Sequence, residues 1–247
     1  MAIKPILFNT EMVRAILDGR KTCTRRVIKP QWEECPTCKY VHNEYIYDKM
    51  AENVYCARCG YPMEPERRSP YQPGDILYVR ETWGISNMDD ESKMAYIVYR
   101  ASEEQKNEGC REVHLPDEKF EKMYESMAES EPEWRPSIHM PKEAARIWLK
   151  VTNVRVERLQ EITEDQTEEE GFLFTPPCLH MTGENYCDID GPCTSEIKYC
   201  DMGAGELFGK VLWNSTIKKS DLDRYGWDAN PYVWVIEFER CEKPQEV

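Results

Sequence analysis

Short runs of alternating apolar and polar residues, or of β-branched and aromatic residues, predict strands along most of the chain. The clearest run is 233–239, in which Trp234, Ile236 and Phe238 share one face. Further strands are predicted at 6–8, 22–28, 76–80 and 95–99. Residues 146–159 form a longer strand whose apolar positions change phase, from Leu149 and Val151 to Val154 and Val156. One bulge or bend explains that change, as at the corner of a barrel.

Helical spacing predicts a first helix from Thr10 to Asp18, with Asn9 or Thr10 available as its N-cap. Gly19 occupies the position of a left-handed C-terminal cap, so we expect a sharp turn there. Further helices are predicted at about 117–128, 163–171 and 204–217, and residues 101–134 are strongly acidic, which is typical of an exposed helical excursion. The mixture of elements predicts an α+β fold.

The composition indicates a folded protein of the cytoplasm. Apolar residues make up 40% of 247, which is sufficient for a packed core. No run approaches the ~20 apolar residues of a membrane span, and the N-terminus has no apolar stretch typical of a signal peptide. In a reducing compartment, 11 cysteines indicate metal ligands and free thiols rather than a disulfide framework.

Charge narrows the class of partner. The formal net charge of −14 argues against tight, sequence-independent binding to duplex nucleic acid, since such binding depends on neutralising phosphates. Against this background, residues 19–26 gather Arg20, Lys21, Arg25 and Arg26. This local reversal of charge is a candidate contact for an anion or a nucleotide, and a solvated basic turn is the ordinary alternative. A small nucleoside or a locally bound RNA element remains compatible.

Two C-x2-C pairs, Cys35–Cys38 and Cys56–Cys59, predict a structural zinc site. Four thiolates delivered as two tight pairs suit a closed tetrahedral site, which leaves no open position for catalysis. Such a site lets a short segment fold without a core of its own. A second group of candidate ligands is more loosely spaced and comprises Cys178, His180, Cys187, Cys193 and Cys200. Two interpretations of this group are open: a second structural zinc site, or free thiols at the surface. Cys23, Cys110 and Cys241 are expected to be plain thiols.

The pattern Gly19-x-Lys21-x-x-x-x-Arg26 resembles the signature of ASCH domains, which are PUA-like small β-barrels linked to RNA and modified nucleosides. Similar flanking text occurs at 6–12, 73–80 and 233–239. The likeness is closest to long, cysteine-rich ASCH proteins of bacteria and their prophages. It implies a barrel domain over 1–30 and 70–242 with flanking helices, a zinc-ribbon-like insertion at 31–69, and a second cysteine-rich insertion at 174–202.

The resemblance also implies an active site. Some short ASCH proteins are amidohydrolases that remove the acyl group of N4-acetylcytidine with a lysine, a threonine and a glutamate, without a metal. The matching positions here are Lys21, Thr24 and Glu170, with Glu169 as an alternative because three glutamates are consecutive. In a regular strand, positions 21 and 24 point to opposite faces. We therefore predict that the turn after Gly19 reorients the lysine towards the threonine.

In this hypothesis Thr24 attacks the amide, Lys21 accepts its proton and Glu170 orients the lysine or protonates the leaving amine. Arg26 or backbone N–H groups of the Gly19 turn would stabilise the oxyanion. No organic cofactor is implied. Taken singly, each of the three also has an ordinary structural explanation. Candidate substrate-binding residues are Arg20, Arg25, Arg26, Tyr78, Trp83 and His139.

A non-catalytic module that binds RNA or a modified base in the same cleft is the second hypothesis, because folds of this class serve both purposes. A phage-associated interaction protein, with its zinc insertion contacting another protein, is a third.

Overall fold

The computed structural model describes residues 1–29, 31, 35, 37–39, 45–48, 53–62, 69–102, 110–125, 134–172 and 202–244. The chain divides into two compact units. Unit 1 comprises Met1–Gly19, Tyr71–Thr152 and Phe238–Val247, and unit 2 comprises Arg20–Pro70 and Asn153–Glu237. The long strand predicted at 146–159 passes from one unit to the other between Thr152 and Asn153, where its apolar positions change phase.

Ten strands are described: β1 (Ile3–Leu7), β2 (Cys23–Val27), β3 (Tyr45–Asp48), β4 (Asn53–Cys56), β5 (Ile76–Arg80), β6 (Trp83–Asp89), β7 (Met94–Tyr99), β8 (Arg111–His114), β9 (Trp148–Arg158) and β10 (Tyr232–Cys241). They form a five-stranded sheet in the order β1-β5-β9-β10-β2, a three-stranded sheet β6-β7-β8 and the hairpin β3-β4. The β1–β5 pair is parallel. The fold is therefore α+β, and the described strands do not close into a barrel.

The helices are α1 (Thr10–Leu17), α2 (Asp117–Glu125), α3 (Glu164–Glu169), α4 (Ala204–Leu207), α5 (Asn214–Thr216) and α6 (Leu222–Tyr225), with a π-helix at Phe208–Trp213 between α4 and α5. In the ranges that the structure describes, none of these helices has both the length and the apolar character needed to cross a bilayer.

The predicted first helix is confirmed with its cap. The Asn9 side chain accepts a hydrogen bond from Met12 N at 2.8 Å, and Gly19 adopts φ of 78° after the helix ends. A positive φ favours glycine, so the sequence itself fixes this turn. The prediction for residues 101–134 was only partly right, because that stretch also contributes strand β8.

The core of unit 1 is formed by the three-stranded sheet, by α2 and by residues of β5 and β9. Trp83, Phe120, Leu115 and Met140 are almost fully buried. The pairing of β6 with β7 shifts register between Ile85 and Asn87. This bulge interrupts the alternation of apolar residues along β6.

Unit 2 has a separate core built around Leu159, Phe208, Trp213, Trp227 and Val233. A Cβ added at Gly209 would lie 1.9 Å from Trp227 Cε3. Only glycine therefore permits the π-helix to approach that indole ring. The predicted helix at 204–217 is observed as α4, the π-helix and α5 in succession.

Candidate functional site

The basic segment after Gly19 binds the C-terminal end of α3. Helix α3 begins after Thr163, whose side chain and that of Gln166 form a reciprocal N-cap. The carbonyl groups at its other end accept hydrogen bonds from three successive residues of the basic segment. Arg20 donates to Gly171 O at 3.1 Å, Lys21 to Glu170 O at 2.8 Å, and Thr22 N to Glu169 O at 2.8 Å. Cationic donors at this end also complement the helix dipole.

Lys21 and Glu170 form a buried ion pair. Lys21 Nζ lies 2.6 Å from Glu170 Oε2, and the two side chains are 0% and 3% exposed. Glu169 is exposed to solvent. The structure thus places Glu170, and not Glu169, against the lysine.

Arg25 extends this pair into a cluster of five side chains, which we call the Lys21 cluster: Lys21, Arg25, Glu157, Gln166 and Glu170. The guanidinium of Arg25 is 0% exposed. It donates to Gln166 Oε1 at 2.6 Å and lies 3.3 Å from Glu157 Oε2 and 3.4 Å from Glu170 Oε1. Arg25 Nε has no hydrogen-bond partner among the described residues. One donor in the cluster is therefore left unsatisfied.

Sequence reasoning named Lys21, Arg25 and Glu170 but missed Glu157 and Gln166. Glu157 also contacts Arg155, which in turn contacts Glu237. The capping pattern Thr163-x-x-Gln166 was visible in the sequence. That pattern gave no sign that the amide of Gln166 would also accept from Arg25.

Cys23 lies beside this cluster, with its sulfur 3.9 Å from Arg25 Nη1. Burial raises the pKa of its thiol to about 12, and the Glu170 carboxylate adds to that effect while Lys21 and Arg25 oppose it. The thiol is therefore protonated near neutral pH and is a poor nucleophile. This agrees with its interpretation as a plain thiol.

Thr24 is 1% exposed and lies in β2, where it pairs with Ile236 of β10. Because side chains alternate along a strand, Thr24 and Arg26 point to the face opposite Cys23 and Arg25. Arg25 is the residue that reaches Glu170. The structure brings together the amine and the carboxylate of the predicted triad. The convergence of Thr24 with them stays a prediction.

The remaining predicted substrate-binding residues lie in unit 1. Tyr78, Trp83 and His139 line one cleft of about 410 Å³. Trp83 is 1% exposed and Tyr78 is 8% exposed, whereas His139 is exposed. Sequence reasoning missed Arg80 and Arg135, which line the same cleft.

The four cysteines of the two C-x2-C pairs come together in unit 2. Their sulfur atoms all lie within 4.8 Å of one another, with Cys35 to Cys59 at 3.6 Å and Cys38 to Cys56 at 3.7 Å. Burial opposes ionisation of Cys35, but hydrogen bonds from the backbone N–H groups of Cys38 and Thr37 hold the pKa of its thiol below the ordinary value. The four residues could hold a metal ion.

The two cysteine pairs have the same backbone turn. Lys39 N donates to Cys35 O at 2.9 Å, and Gly60 N donates to Cys56 O at 2.8 Å. Both donors have positive φ, 55° for Lys39 and 67° for Gly60. The second predicted group, Cys178, His180, Cys187, Cys193 and Cys200, lies outside the described residues.

Comparison with known proteins identifies no relative of this chain: no family model, no curated protein and no solved structure matches it. Its function must therefore be inferred from the geometry of these sites.

Proposed function

We propose that the chain is a metal-independent amidohydrolase of N4-acylated cytidine or a related modified nucleoside. The observation that supports this most directly is the buried 2.6 Å contact between Lys21 and Glu170. The ASCH resemblance requires a lysine and a glutamate from distant parts of the chain to meet, and these two are 149 positions apart. We place the chain, on the same resemblance, among PUA-like ASCH proteins of the cytoplasm.

The proposed reaction transfers protons along this contact. Lys21 passes a proton to Glu170 and becomes a neutral amine, which then takes the proton of the attacking Thr24 hydroxyl. The C–N bond breaks, the cytosine amine receives the proton of Glu170, and the acyl group remains on Thr24 as an ester. In the second half, water attacks the ester and gives a proton to Glu170, while Lys21 reprotonates the leaving Thr24 oxygen. The acid is released, and Glu170 returns a proton to Lys21, which restores the starting ion pair.

The nucleophile distinguishes two versions of this mechanism. Strand alternation points Thr24 away from the face that carries Arg25, so attack by its hydroxyl requires the backbone of β2 to change conformation when substrate binds. Direct attack by a water molecule that Lys21 deprotonates is the competing version. The two versions predict different behaviour when the hydroxyl of Thr24 is removed.

The decisive experiment incubates the protein with N4-acetylcytidine and measures cytidine by chromatography. We expect Lys21→Met and Glu170→Gln each to lower turnover by about 10²–10⁴-fold. Glu169→Gln, at the exposed neighbouring position, is the matched control and should leave turnover unchanged. Thr24→Val should abolish turnover if Thr24 is the nucleophile and leave most of it if water attacks directly. Absence of turnover in the wild-type protein overturns the enzyme proposal.

Recognition of RNA or a modified base without chemistry is the second candidate function. Two observations favour a function without chemistry. The Lys21 side chain is completely buried, and its contacts with α3 are those that a purely structural lysine would also make. Salt-sensitive RNA binding without turnover, weakened by Arg26→Ala, would support it. Arg26 is half-buried and suits this test better than the buried Arg25. We expect weak duplex binding at most in either case.

We further propose that the four-cysteine site holds a structural zinc ion. In a tetrahedral zinc–thiolate site with bonds of ~2.3 Å, neighbouring sulfurs are about 3.8 Å apart, close to the 3.6 and 3.7 Å found here. Zinc analysis of protein purified without chelator should fall by one ion per chain in Cys35→Ser and not in Cys110→Ser. A wild-type content of one zinc would remove the second site predicted in the 174–202 insertion.

A further inference from the structure

The cleft in unit 1 concentrates positive charge in a strongly acidic chain. Among the described residues that line it there is no carboxylate, and five are cationic: Arg80, Lys119, Lys122, Arg135 and Lys142. A concave surface of one sign raises the local concentration of ligands of the opposite sign. The ligand of this cleft is therefore expected to be an anion.

Two buried donors in this cleft find no acceptor in the part of the chain that the structure describes. Arg80 Nε and Trp83 Nε1 have no hydrogen-bond partner among the described residues, and Trp83 is 1% exposed. Buried donors are nearly always satisfied, because leaving one unpaired costs free energy. An indole N–H can only donate. A ligand that satisfies both groups must therefore supply acceptor oxygens.

The two arginines are held in fixed orientations beside aromatic rings. Arg80 donates from Nη1 to Ile138 O at 3.2 Å, and its Cζ lies 5.5 Å from the centre of the Tyr78 ring. Arg135 Cζ lies 5.5 Å from the centre of the Trp83 ring. A guanidinium held in place presents a planar fork of donors that matches a phosphate.

Lys119 and Lys122, at the rim of the cleft, are expected to contribute less to anion binding than the two arginines. Lys119 is paired with Glu143 and Lys122 with Glu118, each at 2.7 Å. The Lys119 and Lys122 side chains are 47% and 72% exposed, so solvent and salt screen their charges. We therefore assign the main anion contact to Arg80 and Arg135.

Apart from the exposed His139, the rest of the lining is apolar or aromatic. Tyr78, Met123, Met140 and Pro141 supply this part, and Met140 is fully buried. A volume of about 410 Å³ is in the range of small-molecule sites, which combine apolar walls with a few polar groups. Nucleobases also stack readily on aromatic rings and guanidinium planes.

We infer that this cleft binds a nucleoside phosphate, with the phosphate at Arg80, Arg135 and the Trp83 indole N–H and the base against Tyr78 and the half-buried Met123. This site is additional to the proposed hydrolase and does not rest on it.

Calorimetric titration tests the inference with the four nucleoside 5′-monophosphates and the four unphosphorylated nucleosides. At least one monophosphate should bind about tenfold or more tightly than its own nucleoside, since hydrogen bonds to a charged group are lost with the phosphate. Its binding should weaken as salt is added. Equal binding of nucleoside and monophosphate, or binding of none of the four monophosphates, overturns the inference.

Variants locate the site. Arg80→Gln should weaken binding of that monophosphate about tenfold, and Lys122→Gln about twofold to threefold. Lys150→Gln removes an exposed cation of unit 1 outside the cleft lining and should bind as the wild type does. If Arg80→Gln fails to fold, the twofold to threefold weaker binding expected for Lys122→Gln, a change at an exposed residue, tests the inference instead. Loss of affinity in Lys150→Gln equal to that in the cleft variants, or equally tight binding of a glutamate-rich peptide, would contradict a phosphate site.

Discussion

A buried guanidinium is bound by carboxylates in each unit, and the two arrangements differ in how completely their hydrogen bonds are formed. In unit 1, Arg146 binds Glu81 through two parallel hydrogen bonds of 2.9 and 3.0 Å and donates its third nitrogen to Ser102 Oγ at 2.7 Å. Its guanidinium also lies over the Tyr99 ring, 4.2 Å from the centre. In the Lys21 cluster of unit 2, one guanidinium is shared among three acceptors and keeps an unsatisfied Nε.

On this difference we base the proposal of a structural role for the Glu81–Arg146 pair and a chemical role for the Lys21 cluster. A bidentate pair fixes both partners in one geometry, so a proton or a partner cannot be exchanged without breaking it. A shared cluster has several arrangements of similar energy, because a carboxylate that loses one cation keeps another. Glu170, which contacts both Lys21 and Arg25, has this property. Proton transfer is therefore expected in unit 2 and not at the Glu81–Arg146 pair.

The largest expected effect is on the bidentate pair. Arg146→Met should lower the free energy of unfolding by about 3–5 kcal/mol, because it removes one partner of a buried ion pair. Urea denaturation measures this loss. Lys150→Met is the matched control: its contact with Glu239 is exposed and 3.6 Å long, so the change should be about 0.5 kcal/mol or less. Similar losses in the two variants would contradict the distinction.

A smaller effect is expected in the shared cluster. Lys21→Met should lower the free energy of unfolding by about 1–3 kcal/mol, because Arg25 remains 3.4 Å from the Glu170 carboxylate. The same denaturation experiment applies. A loss as large as that of Arg146→Met would show that Lys21 is as rigidly required as Arg146, and would favour the structural interpretation of the lysine.

Local features of both regions could be predicted from the sequence, since each depends on neighbouring residues. The cap at Asn9, the turn at Gly19 and the reciprocal cap at Thr163 follow from residue types at fixed offsets. The cysteine pairs are also local, and their two turns end at Lys39 and Gly60 with the same sign of φ.

Pairings between distant residues could not be predicted in this way. Arg146 and Glu81 are 65 positions apart, and nothing near either residue indicates the other. Strand β6 was missed because its bulge at Ile85–Asn87 interrupts alternation. Glu170 is distinguished from Glu169 by its position as the C-cap of α3, directly before Gly171, where φ is 79°. The resemblance to ASCH domains pointed to Lys21 and Glu170 as a pair, and their contact is seen only in the structure.

The smallest expected effect is on the pH dependence of stability. It comes from two buried weak acids, the Cys23 thiol beside the Lys21 cluster and the Tyr99 hydroxyl beside Arg146. Burial raises the pKa of the Cys23 thiol from 9.0 to about 12 and that of the Tyr99 hydroxyl from 10.0 to about 12. As the pH rises past 9, the unfolded chain loses the thiol proton while the folded chain keeps it. Stability is therefore lost progressively between pH 9 and about 12 for Cys23, and between pH 10 and about 12 for Tyr99.

Between pH 8 and pH 10 the thiol should account for a loss on the order of 1 kcal/mol and the tyrosine for a clearly smaller one, because the unfolded thiol ionises at lower pH than the unfolded phenol. Urea denaturation at the two pH values should show the smaller pH dependence in Cys23→Ala and almost the wild-type dependence in Tyr99→Phe. If Cys23→Ala keeps the full alkaline loss, the thiol ionises in the folded state. A thiolate would then be available beside Lys21 and Glu170, and Cys23 would replace Thr24 as the nucleophile to be tested.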